Sequence, residues 1–537
     1  MLSGAQILVQ SLVDVGIDVV FGYPGGQVLP VYDALYDAKD KIRHILTSHE
    51  QGAAHAADGF SRSTGKVGVC LATSGPGATN LVTGIAAAYM DSVPMVAITG
   101  NVALNLIGRD AFQEIDITGV TIPITKHSYM VKDVENLEEI IKKAFVIASS
   151  GRPGPVLVDI PKDIQLAKTT YKNLKIKPKD TVEFFDEEKT LELLKESKKP
   201  LLYCGGGVVS ANASTDMTAF IEKYDCPVIF SMMGITALPF DNPKNLGLSG
   251  IHGKDVSDKA ARECDLIIAC GTRFSERMWG KDKFNNAKII HIDIDDSEHG
   301  KNLSCDLYIK KDLKEVFQNL TNSMEKAEHE EWISSLFLLK QKSLENCDKS
   351  FTMQKIIDTV SLNFDKDTFV VTDVGQHQVA TAQNYKFYKP RKFLSSCGLG
   401  AMGYGMGAAI GAKTANPKST VLLITGDGSF HMNFNELACA ISENLPIIVL
   451  VFNNSSLGLV RQLQSAFYRD RCYCSGFSKK TDYVQLSRSL GADGAVAKNF
   501  NELYAALKSA KVSNMPFVIE CVINKNEDIY PFDVNVN

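Results

Sequence analysis

The sequence predicts an α/β fold of three doubly wound domains whose sheets are mostly parallel. Short apolar runs alternate with helical patterns along almost the whole chain, and each run ends in glycine, proline or polar residues. Such runs are typical of strands buried on both faces of a parallel sheet. The 537 residues are too many for one hydrophobic core. The first and last thirds each contain a strand, a glycine-rich turn and a helix in succession, which indicates related architectures.

Two stretches read as connections between these domains. Residues 166–190 are rich in lysine and have no sustained apolar face, and residues 323–349 are charged and fit a solvent-facing helix with a connection. Division at these stretches predicts domains of ordinary size at residues 1–170, 190–325 and 350–537.

The composition excludes several classes of function. A net charge of −5 gives no reason to expect nucleic acid as a partner, and no apolar run is long enough to span a membrane. The first residues read as an amphipathic helix and not as a signal peptide. Twelve scattered cysteines show no disulfide framework, and Cys472 and Cys474 lack a partnering ligand pair. We therefore expect a cytoplasmic protein with reduced thiols.

A glycine–aspartate–glycine turn carries the first chemical signal. Asp427 leaves the carboxyl end of a predicted strand, which is where α/β sheets bind ligands. The next apolar run ends at Asn453 and Asn454, so adjacent strands would bring the carboxylate and the amide to one edge. With a backbone carbonyl they form a hard-oxygen site that suits Mg²⁺ in contact with a diphosphate. The amides of the helix after Gly428 would add to the anion site.

An ordinary strand–turn–helix connection would explain that turn by itself. The turn together with the asparagine pair is more specific, and it resembles the motif of thiamine-diphosphate enzymes. These enzymes also need a glutamate beside the aminopyrimidine ring of the cofactor. Glu50 follows a predicted strand and begins a helix, although an isolated glutamate there is most often a first-turn helix charge.

The chain resembles the catalytic subunits of acetolactate (acetohydroxyacid) synthases nearly from end to end. The resemblance rests on stretches such as HEQGAAHAADGFSRSTGKVGV, GRDAFQEIDITGVTIPITKHS, GTRFSERMWG and CGLGAMGYGMGAAIGA. It implies decarboxylation of pyruvate on thiamine diphosphate and transfer of the two-carbon unit to a second 2-keto acid. The products would be acetolactate or acetohydroxybutyrate, made for branched-chain amino acid synthesis.

The resemblance also implies an assembly and a set of site residues. It implies a homodimer or homotetramer, and it leaves room for a regulatory small subunit. The domains would bind the pyrimidine, FAD and the diphosphate with Mg²⁺, in chain order. The implied residues are Glu50 for cofactor activation, Gly25, Phe112 and Gln113 at the reaction centre, Gln376, His377, Gly428 and Ser429 at the diphosphate, Gly400 and Met402 at the aminopyrimidine, Met432 as an apolar wedge, and Asp427, Asn454 and the Ser456 carbonyl at Mg²⁺.

The middle domain resembles the FAD-binding domain of the same family, in which the flavin is mainly structural. A domain with an empty or lost nucleotide site is the alternative, because three successive glycines alone are weak evidence for a nucleotide. The positions that match the family's FAD contacts are Arg152, Gly205, Gly206, Gly207, Arg273, Arg277 and Asp293.

The departures from the family pattern cluster around the predicted substrate channel. Leu463 stands where a tryptophan is usual, which predicts a wider site and a weaker preference for 2-ketobutyrate as acceptor. Arg109 replaces a usual threonine, and Arg461 a usual small residue. Drift with both arginines on the surface is one interpretation; an altered acceptor, such as a nucleotide-linked keto sugar, is the other. The channel positions are Gln27, Arg109, Leu459, Arg461 and Leu463.

Three functions other than acetolactate synthesis are compatible with parts of the sequence. A related pyruvate-donor carboligase with a different acceptor remains open. A pyruvate oxidase or decarboxylase is disfavoured by the stretch DAFQEID. A catalytically inactive regulatory paralogue is disfavoured because Glu50, Asp427 and Asn454 are all intact.

Overall fold

The computed structural model describes residues 1–178, 182–277, 284, 287–343, 350–478 and 481–530. Its centre is three six-stranded sheets, and all the strand pairs within these sheets are parallel. A short antiparallel pair joins β1 (Leu2–Ser3) to β8 (Lys168–Thr169). The predicted fold class is confirmed.

The first sheet follows an N-terminal helix that Ser3 and Gln6 close with a capping box. Its strands are β2 (Val19–Gly22), β3 (Arg43–Leu46), β4 (Gly68–Ala72), β5 (Met95–Asn101), β6 (His127–Met130) and β7 (Pro155–Pro161). Its helices are α1 (Gly4–Asp14), α2 (Leu29–Asp37), α3 (Glu50–Thr64), α4 (Pro76–Asn80), α5 (Val82–Met90), α6 (Ile117–Thr121), α7 (Leu137–Ser149) and α8 (Lys162–Leu166).

The second sheet forms the middle domain. Its strands are β9 (Pro200–Cys204), β10 (Val228–Phe230), β11 (Asn245–Leu248), β12 (Leu266–Cys270), β13 (Lys288–Asp293) and β14 (Leu307–Lys310). Its helices are α9 (Glu187–Glu196), α10 (Gly206–Ser210), α11 (Ser214–Tyr224), α12 (Asp255–Glu263), α13 (Leu313–Ser323) and α14 (Glu330–Ser343).

The third sheet forms the last domain. Its strands are β15 (Phe369–Thr372), β16 (Phe393–Ser395), β17 (Val421–Gly426), β18 (Ile448–Asn453), β19 (Asp493–Ala497) and β20 (Phe517–Val522). Its helices are α15 (Met353–Asn363), α16 (Gln376–Asn384), α17 (Tyr404–Ala415), α18 (Asp427–Asn433), α19 (Glu436–Ser442), α20 (Gly458–Phe467), α21 (Tyr483–Leu490) and α22 (Phe500–Val512).

Each sheet has a switch point at which its first strand connects outward to one side and the later strands continue on the other side, and such a switch point opens a crevice at the carboxyl ends of the strands. The first sheet has the order β3, β2, β4, β5, β7, β6, so its switch point lies between β2 and β4. In the middle sheet the order β11, β10, β9, β12, β13, β14 puts it between β9 and β12. In the third sheet the order β16, β15, β17, β18, β20, β19 puts it between β15 and β17. Gly205, Gln376, Asp427 and Asn454 all follow strand ends at or beside these crevices.

The first and third domains pack together through α3 and α17. The approach is so close that a Cβ atom on Gly59 would lie 2.1 Å from the Ala408 carbonyl, and one on Gly411 would lie 1.9 Å from the Ala56 carbonyl. Only glycine allows this contact between backbones. The interface therefore fixes the two carboxyl edges relative to each other within one chain.

The charged stretch before the third domain is predicted to face solvent, but one side of its helix is buried. Helix α14 buries Trp332 and Leu336 in the core of the middle domain, while Leu338 stays 60% exposed. A solvent-facing helix was expected there, and the buried tryptophan shows that one side of it covers the middle sheet. Within the described ranges, no helix combines the length and the apolar character needed to cross a bilayer.

Candidate active site

The third sheet brings the two residues of the predicted metal site to one edge. Asp427 begins α18 directly after β17, and Asn454 directly follows the neighbouring strand β18. One carboxylate oxygen of Asp427 accepts a hydrogen bond from the Gly428 amide at 2.8 Å, and Asn454 Oδ1 accepts one from the Ser456 amide at 3.0 Å. The other oxygen of Asp427 is buried and has no partner within the described residues. A cation at this edge would satisfy it.

Two residues at the start of α16 adjoin this pair. Gln376 Oε1 accepts a hydrogen bond from Asn454 Nδ2 at 3.5 Å, and Gln376 Nε2 donates to the Glu527 carbonyl at 2.9 Å. The ring of His377 lies against Gly426, where a Cβ atom would come within 3.0 Å of Nδ1. Burial lowers the pKa of His377 to about 3, so the imidazole is neutral at physiological pH. Its Nε2 is buried without a partner among the described residues, which leaves it available to an anionic ligand.

The predicted contacts of the aminopyrimidine lie beside the same edge. A Cβ atom on Gly428 would lie 3.7 Å from the Met402 side chain, and one on Gly403 would lie 3.1 Å from Met432 Cβ. Met432 is 58% exposed, so it is not part of the hydrophobic core. Gly400 has φ +70°, a conformation that favours glycine. Ser429 donates from its hydroxyl to the Val374 carbonyl at 3.2 Å.

The first sheet gathers the other predicted residues around the loop after β4. Glu50 is 9% exposed and accepts a hydrogen bond from Asn80 Nδ2 at 2.9 Å. Its second oxygen lies 3.2 Å from the position of a Cβ atom on Gly77. A Cβ atom on Gly25 would lie 2.5 Å from the Thr73 side chain, so Gly25 and Glu50 approach the same loop.

The segment from Gly108 to Glu114 adds the exposed part of this edge. The Glu114 carboxylate accepts hydrogen bonds from the Gly108 and Ala111 amides and so holds the turn. Phe112 is 83% exposed, and Arg109 is exposed as well. Gln113 adopts φ 61° and lies against Gly75, where a Cβ atom would come within 3.0 Å of it.

The predicted channel residues differ in their surroundings. The backbone amide of Gln27 donates to Thr73 Oγ1 at 3.2 Å, which places Gln27 beside the first-domain loop. Leu459 and Leu463 are half-buried on α20. Arg461, on the same helix, pairs with the Asp528 carboxylate and donates to the Glu527 carbonyl at 3.2 Å. An anionic acceptor would have to compete with Asp528 for this guanidinium.

Two carboxylates that the sequence did not single out join the domains at the site. Glu436 on α19 accepts hydrogen bonds from the Ser48 amide at 3.0 Å and the His49 amide at 2.9 Å, immediately before Glu50. Burial, together with the charge of Glu50, raises the pKa of Glu436 to about 7. Asp91 accepts hydrogen bonds from the amides of residues 397 and 398, in the loop that continues to Gly400. Each pairs with atoms hundreds of residues away, so no local pattern could have revealed it.

The middle domain presents its glycines at the switch point between β9 and β12. Gly205 and Gly207 pack against the next turn, because Cβ atoms on them would lie 2.0 and 2.6 Å from the backbone of Gly271. Their glycine identity is thus explained by this close approach, with or without a nucleotide. A Cβ atom on Gly206 would lie 2.9 Å from Met233. Asp293 ends β13 at the same edge, and burial raises the pKa of its carboxyl to about 6.

The three arginines of the predicted FAD contacts lie around this edge. Arg152 donates to Glu298 at 2.7 Å and to Asp295 at 3.1 Å. Arg273 donates to the Met90 carbonyl at 2.6 Å, next to Asp91 of the first domain. Arg277 is exposed, and its carbonyl accepts a hydrogen bond from the Ile251 amide.

Comparison with known proteins agrees with this arrangement. Family models of thiamine pyrophosphate enzymes match the N-terminal TPP binding domain at residues 2–120, the central domain at residues 188–320 and the C-terminal TPP binding domain at residues 373–521. The chain is therefore a thiamine-diphosphate-dependent enzyme.

Relatives that match along almost the whole chain narrow the class. The acetolactate synthase large subunit of Buchnera aphidicola subsp. Schizaphis graminum is 44% identical to this chain. The matched region includes 99% of this chain and 97% of that subunit. The large subunits of Cyanidium caldarium (43% identical, 98% of this chain, 94% of the relative) and Corynebacterium glutamicum (42%, 99% and 88%) match similarly. The chain belongs to the acetolactate synthase large subunit family, which confirms the resemblance seen in the sequence.

Proposed function

We propose that this chain is an acetolactate synthase that takes pyruvate as donor and a second 2-keto acid as acceptor. The products are acetolactate from two pyruvates and acetohydroxybutyrate from pyruvate and 2-ketobutyrate, in branched-chain amino acid synthesis. One observation carries the proposal. The sheet edge with Asp427 and Asn454 and the loop with Glu50 both have the polar residues that thiamine-diphosphate chemistry needs, and acetolactate synthase large subunits match nearly the full length of the chain.

The chain's own residues divide the work. Bound thiamine diphosphate supplies the carbanion chemistry for loss of CO₂ and formation of the new carbon–carbon bond. Asp427, Asn454 and the Ser456 carbonyl would hold Mg²⁺; the unpartnered Asp427 oxygen supports this assignment. Neutral His377 would donate to a diphosphate oxygen through its unpartnered Nε2, beside Gln376.

Proton transfer and exclusion of water belong to other side chains. Glu50 would exchange a proton with the aminopyrimidine, and Asn80 orients its carboxylate. The exposed apolar side chains of Met432 and Phe112 would exclude water when the site is complete. Their exposure in a single chain supports a homodimer or homotetramer, in which a second copy covers the site. A regulatory small subunit is a further partner of this proposal, since the relatives are named large subunits.

FAD would bind at the switch point of the middle domain as a structural cofactor. The support is the position of this glycine turn at the switch point of the sheet, with the buried carboxyl of Asp293 at the same edge as an acceptor for hydroxyl groups. Purified protein should then release flavin on denaturation, at one molecule per chain. Colourless protein that gains no stability from added FAD would contradict this part of the proposal.

An acceptor other than a small 2-keto acid has less support. The second interpretation of the channel needed Arg109 and Arg461 as added cations. The Nη2 of Arg461 is engaged by Asp528 and the Glu527 carbonyl, and its Nε is buried, so an anionic acceptor would have to displace Asp528 or use the exposed Arg109.

A product assay tests the proposal. Protein is supplied with thiamine diphosphate, Mg²⁺, FAD and pyruvate, with and without equimolar 2-ketobutyrate, and the products are identified by mass spectrometry. We expect acetolactate from pyruvate alone and both products from the mixture. Asp427→Ala should abolish turnover, whereas Asp367→Ala, at an exposed aspartate of the same domain paired with Lys389, should not. CO₂ or acetaldehyde without acetolactate would leave the donor half correct and the acceptor wrong.

A further inference from the structure

A small cavity lies where the middle domain, including α14, meets the third domain. It includes none of the residues assigned to the catalytic centre or to FAD. The centre of a water-sized sphere can occupy about 40 Å³ of it. One water needs about 10–15 Å³ on this measure, so the cavity has room for roughly three waters or one small organic molecule. Most of its wall is apolar, formed by Ile235, Phe240, Leu246, Ala382 and Phe387.

Two buried polar atoms of the cavity residues have no partner within the described chain. Gln383 and Tyr385 are each only 5% exposed. The Gln383 amide nitrogen donates to the His252 carbonyl at 2.9 Å, but its oxygen accepts nothing, and the Tyr385 hydroxyl is also unpartnered. Buried polar atoms nearly always have a hydrogen-bond partner, so a molecule in the cavity is expected to complete them.

The charge around the cavity is predominantly positive. Lys254 lines it, and among the described residues its ammonium group makes no hydrogen bond or ion pair. Lys340 also lines it and donates to the Asn245 carbonyl at 2.6 Å. Lys386 lies over the face of Phe240, at 5.9 Å from the ring centre. Asp358 is the acidic group that acts on Lys254, and burial lowers the pKa of Lys254 despite it.

We propose that this cavity binds a short-chain aliphatic monocarboxylate. The carboxylate would pair with Lys254 and accept a hydrogen bond from the Tyr385 hydroxyl, while the hydrocarbon part lies against Phe240 and Leu246. A carboxylate fits better than a phosphate, because the wall offers one unpartnered cation and mostly apolar surface to a ligand of about this size. The site is separate from the keto-acid chemistry, so it stands whether or not the proposed function is correct.

Propionate and its uncharged analogue propionamide test the proposal, because they share a shape and differ in charge. Binding to the full-length protein is titrated by calorimetry and by ligand-observed NMR. We expect propionate to bind at one saturable site per chain, at least tenfold more tightly than propionamide. Lys254→Met should weaken propionate binding at least tenfold, and Tyr385→Phe several-fold.

Three controls separate this site from other sources of binding. Lys389→Met, which removes an exposed lysine paired with Asp367, should leave the affinity unchanged. Asp427→Ala should leave it unchanged as well, which excludes binding at the catalytic edge. Inorganic phosphate should not displace propionate.

The proposal would be overturned by any of several results. These are equal binding of propionate and propionamide, a Lys254→Met affinity equal to that of the unmodified chain, displacement by phosphate, or a crystal soaked in propionate that shows only ordered water in the cavity. If Lys254→Met does not fold, Tyr385→Phe and the comparison with the amide still decide the outcome.

Discussion

Glu50 is held from two sides. Asn80 of the first domain donates to its carboxylate, and Glu436 of the third domain fixes the two amides that precede it. A glutamate in the first turn of α3 would be favoured by the helix dipole alone, but a surface charge would need neither of these contacts. The side chain is therefore positioned, at the loop that Gly25 also contacts through Thr73.

Replacement of Glu50 by glutamine tests that assignment. The amide keeps the shape and the contact with Asn80 but cannot donate and recover a proton at physiological pH. We expect acetolactate formation to fall by about 10²–10⁴, the usual range for loss of a general acid–base group. Binding of thiamine diphosphate, measured by fluorescence titration, should change little. Unchanged turnover would show that Glu50 is only a structural carboxylate.

Leu463 is the residue on which acceptor choice is expected to depend. Leu463 is half-buried on α20, one turn after Leu459. The family pattern has a tryptophan at the position of Leu463. Leu463→Trp should narrow the channel and raise the ratio of acetohydroxybutyrate to acetolactate, measured at equal keto-acid concentrations, by about tenfold. Leu463→Met, of similar volume, serves as the control and should leave the ratio unchanged. A ratio that does not respond to the tryptophan would remove Leu463 from the channel.

At the scale of elements, a buried ion network ties three parts of the molecule together. Arg62 on α3 lies between Asp58 at 2.6 Å and Asp91 at 2.8 Å, and both carboxylates are fully buried. Asp91 also accepts the amides of residues 397 and 398 at 2.9 and 2.7 Å. Arg273 of the middle domain donates to the carbonyl of Met90, the residue before Asp91. The loop that leads to Gly400 is thus anchored on the first domain.

Asp91→Asn should loosen that loop. The substitution leaves part of the buried Arg62 charge without its partner and removes one of two acceptors for the loop amides. We expect a loss of about 3 kcal/mol in the free energy of unfolding and a Kd for thiamine diphosphate that rises together with it. Both are measured on the same preparation, by urea titration and by fluorescence.

A second cross-domain ion pair provides the control for Asp91. Arg43 and Glu443 also join the first and third domains, at 2.5 Å, but their side chains are 50% and 21% exposed. Glu443→Gln should cost less than about 1 kcal/mol and leave cofactor binding unchanged. Equal effects of the two variants would contradict a specific role for Asp91.

At the scale of the molecule, the sheets and their edges followed from the sequence, and the contacts between domains did not. Asp427 and Asn454 could be placed together because adjacent parallel strands end at one edge. Glu436 and Asp91 could not be found, because their partners depend on how α3 packs against α17. The sequence allows Arg461 to be either a surface charge or a free cation, because nothing local predicts its pairing with Asp528.

One buried acid predicts how the stability of the molecule depends on pH. Asp159 is fully buried in β7, where burial raises its pKa to about 7 although Thr99 and Asn101 donate to it. The folded state therefore favours the protonated acid. This contribution is complete below the ordinary pKa near 3.8 and is lost as the pH rises through about 7.

The urea midpoint of unfolding should reveal this titration. It should fall between pH 4 and pH 8, and Asp159→Asn should flatten that fall by an amount corresponding to at most about 4 kcal/mol. Absolute stability is the weaker readout, because the substitution also changes the hydrogen bonds with Asn101. An Asp159→Asn protein with the same pH slope as the unmodified chain would show that Asp159 is ionised when folded.

A mixed dimer can show whether the Glu50 edge of one copy and the Asp427 edge of a second copy form one catalytic centre. Glu50→Gln and Asp427→Ala are expressed together with different tags, and the mixed dimer is purified and assayed for acetolactate. If each centre takes Glu50 from one copy and Asp427 from the other, one of the two centres in every mixed dimer is intact. Activity should then return to roughly half of that of the unmodified dimer. Activity no higher than that of the separate variants would contradict a shared centre.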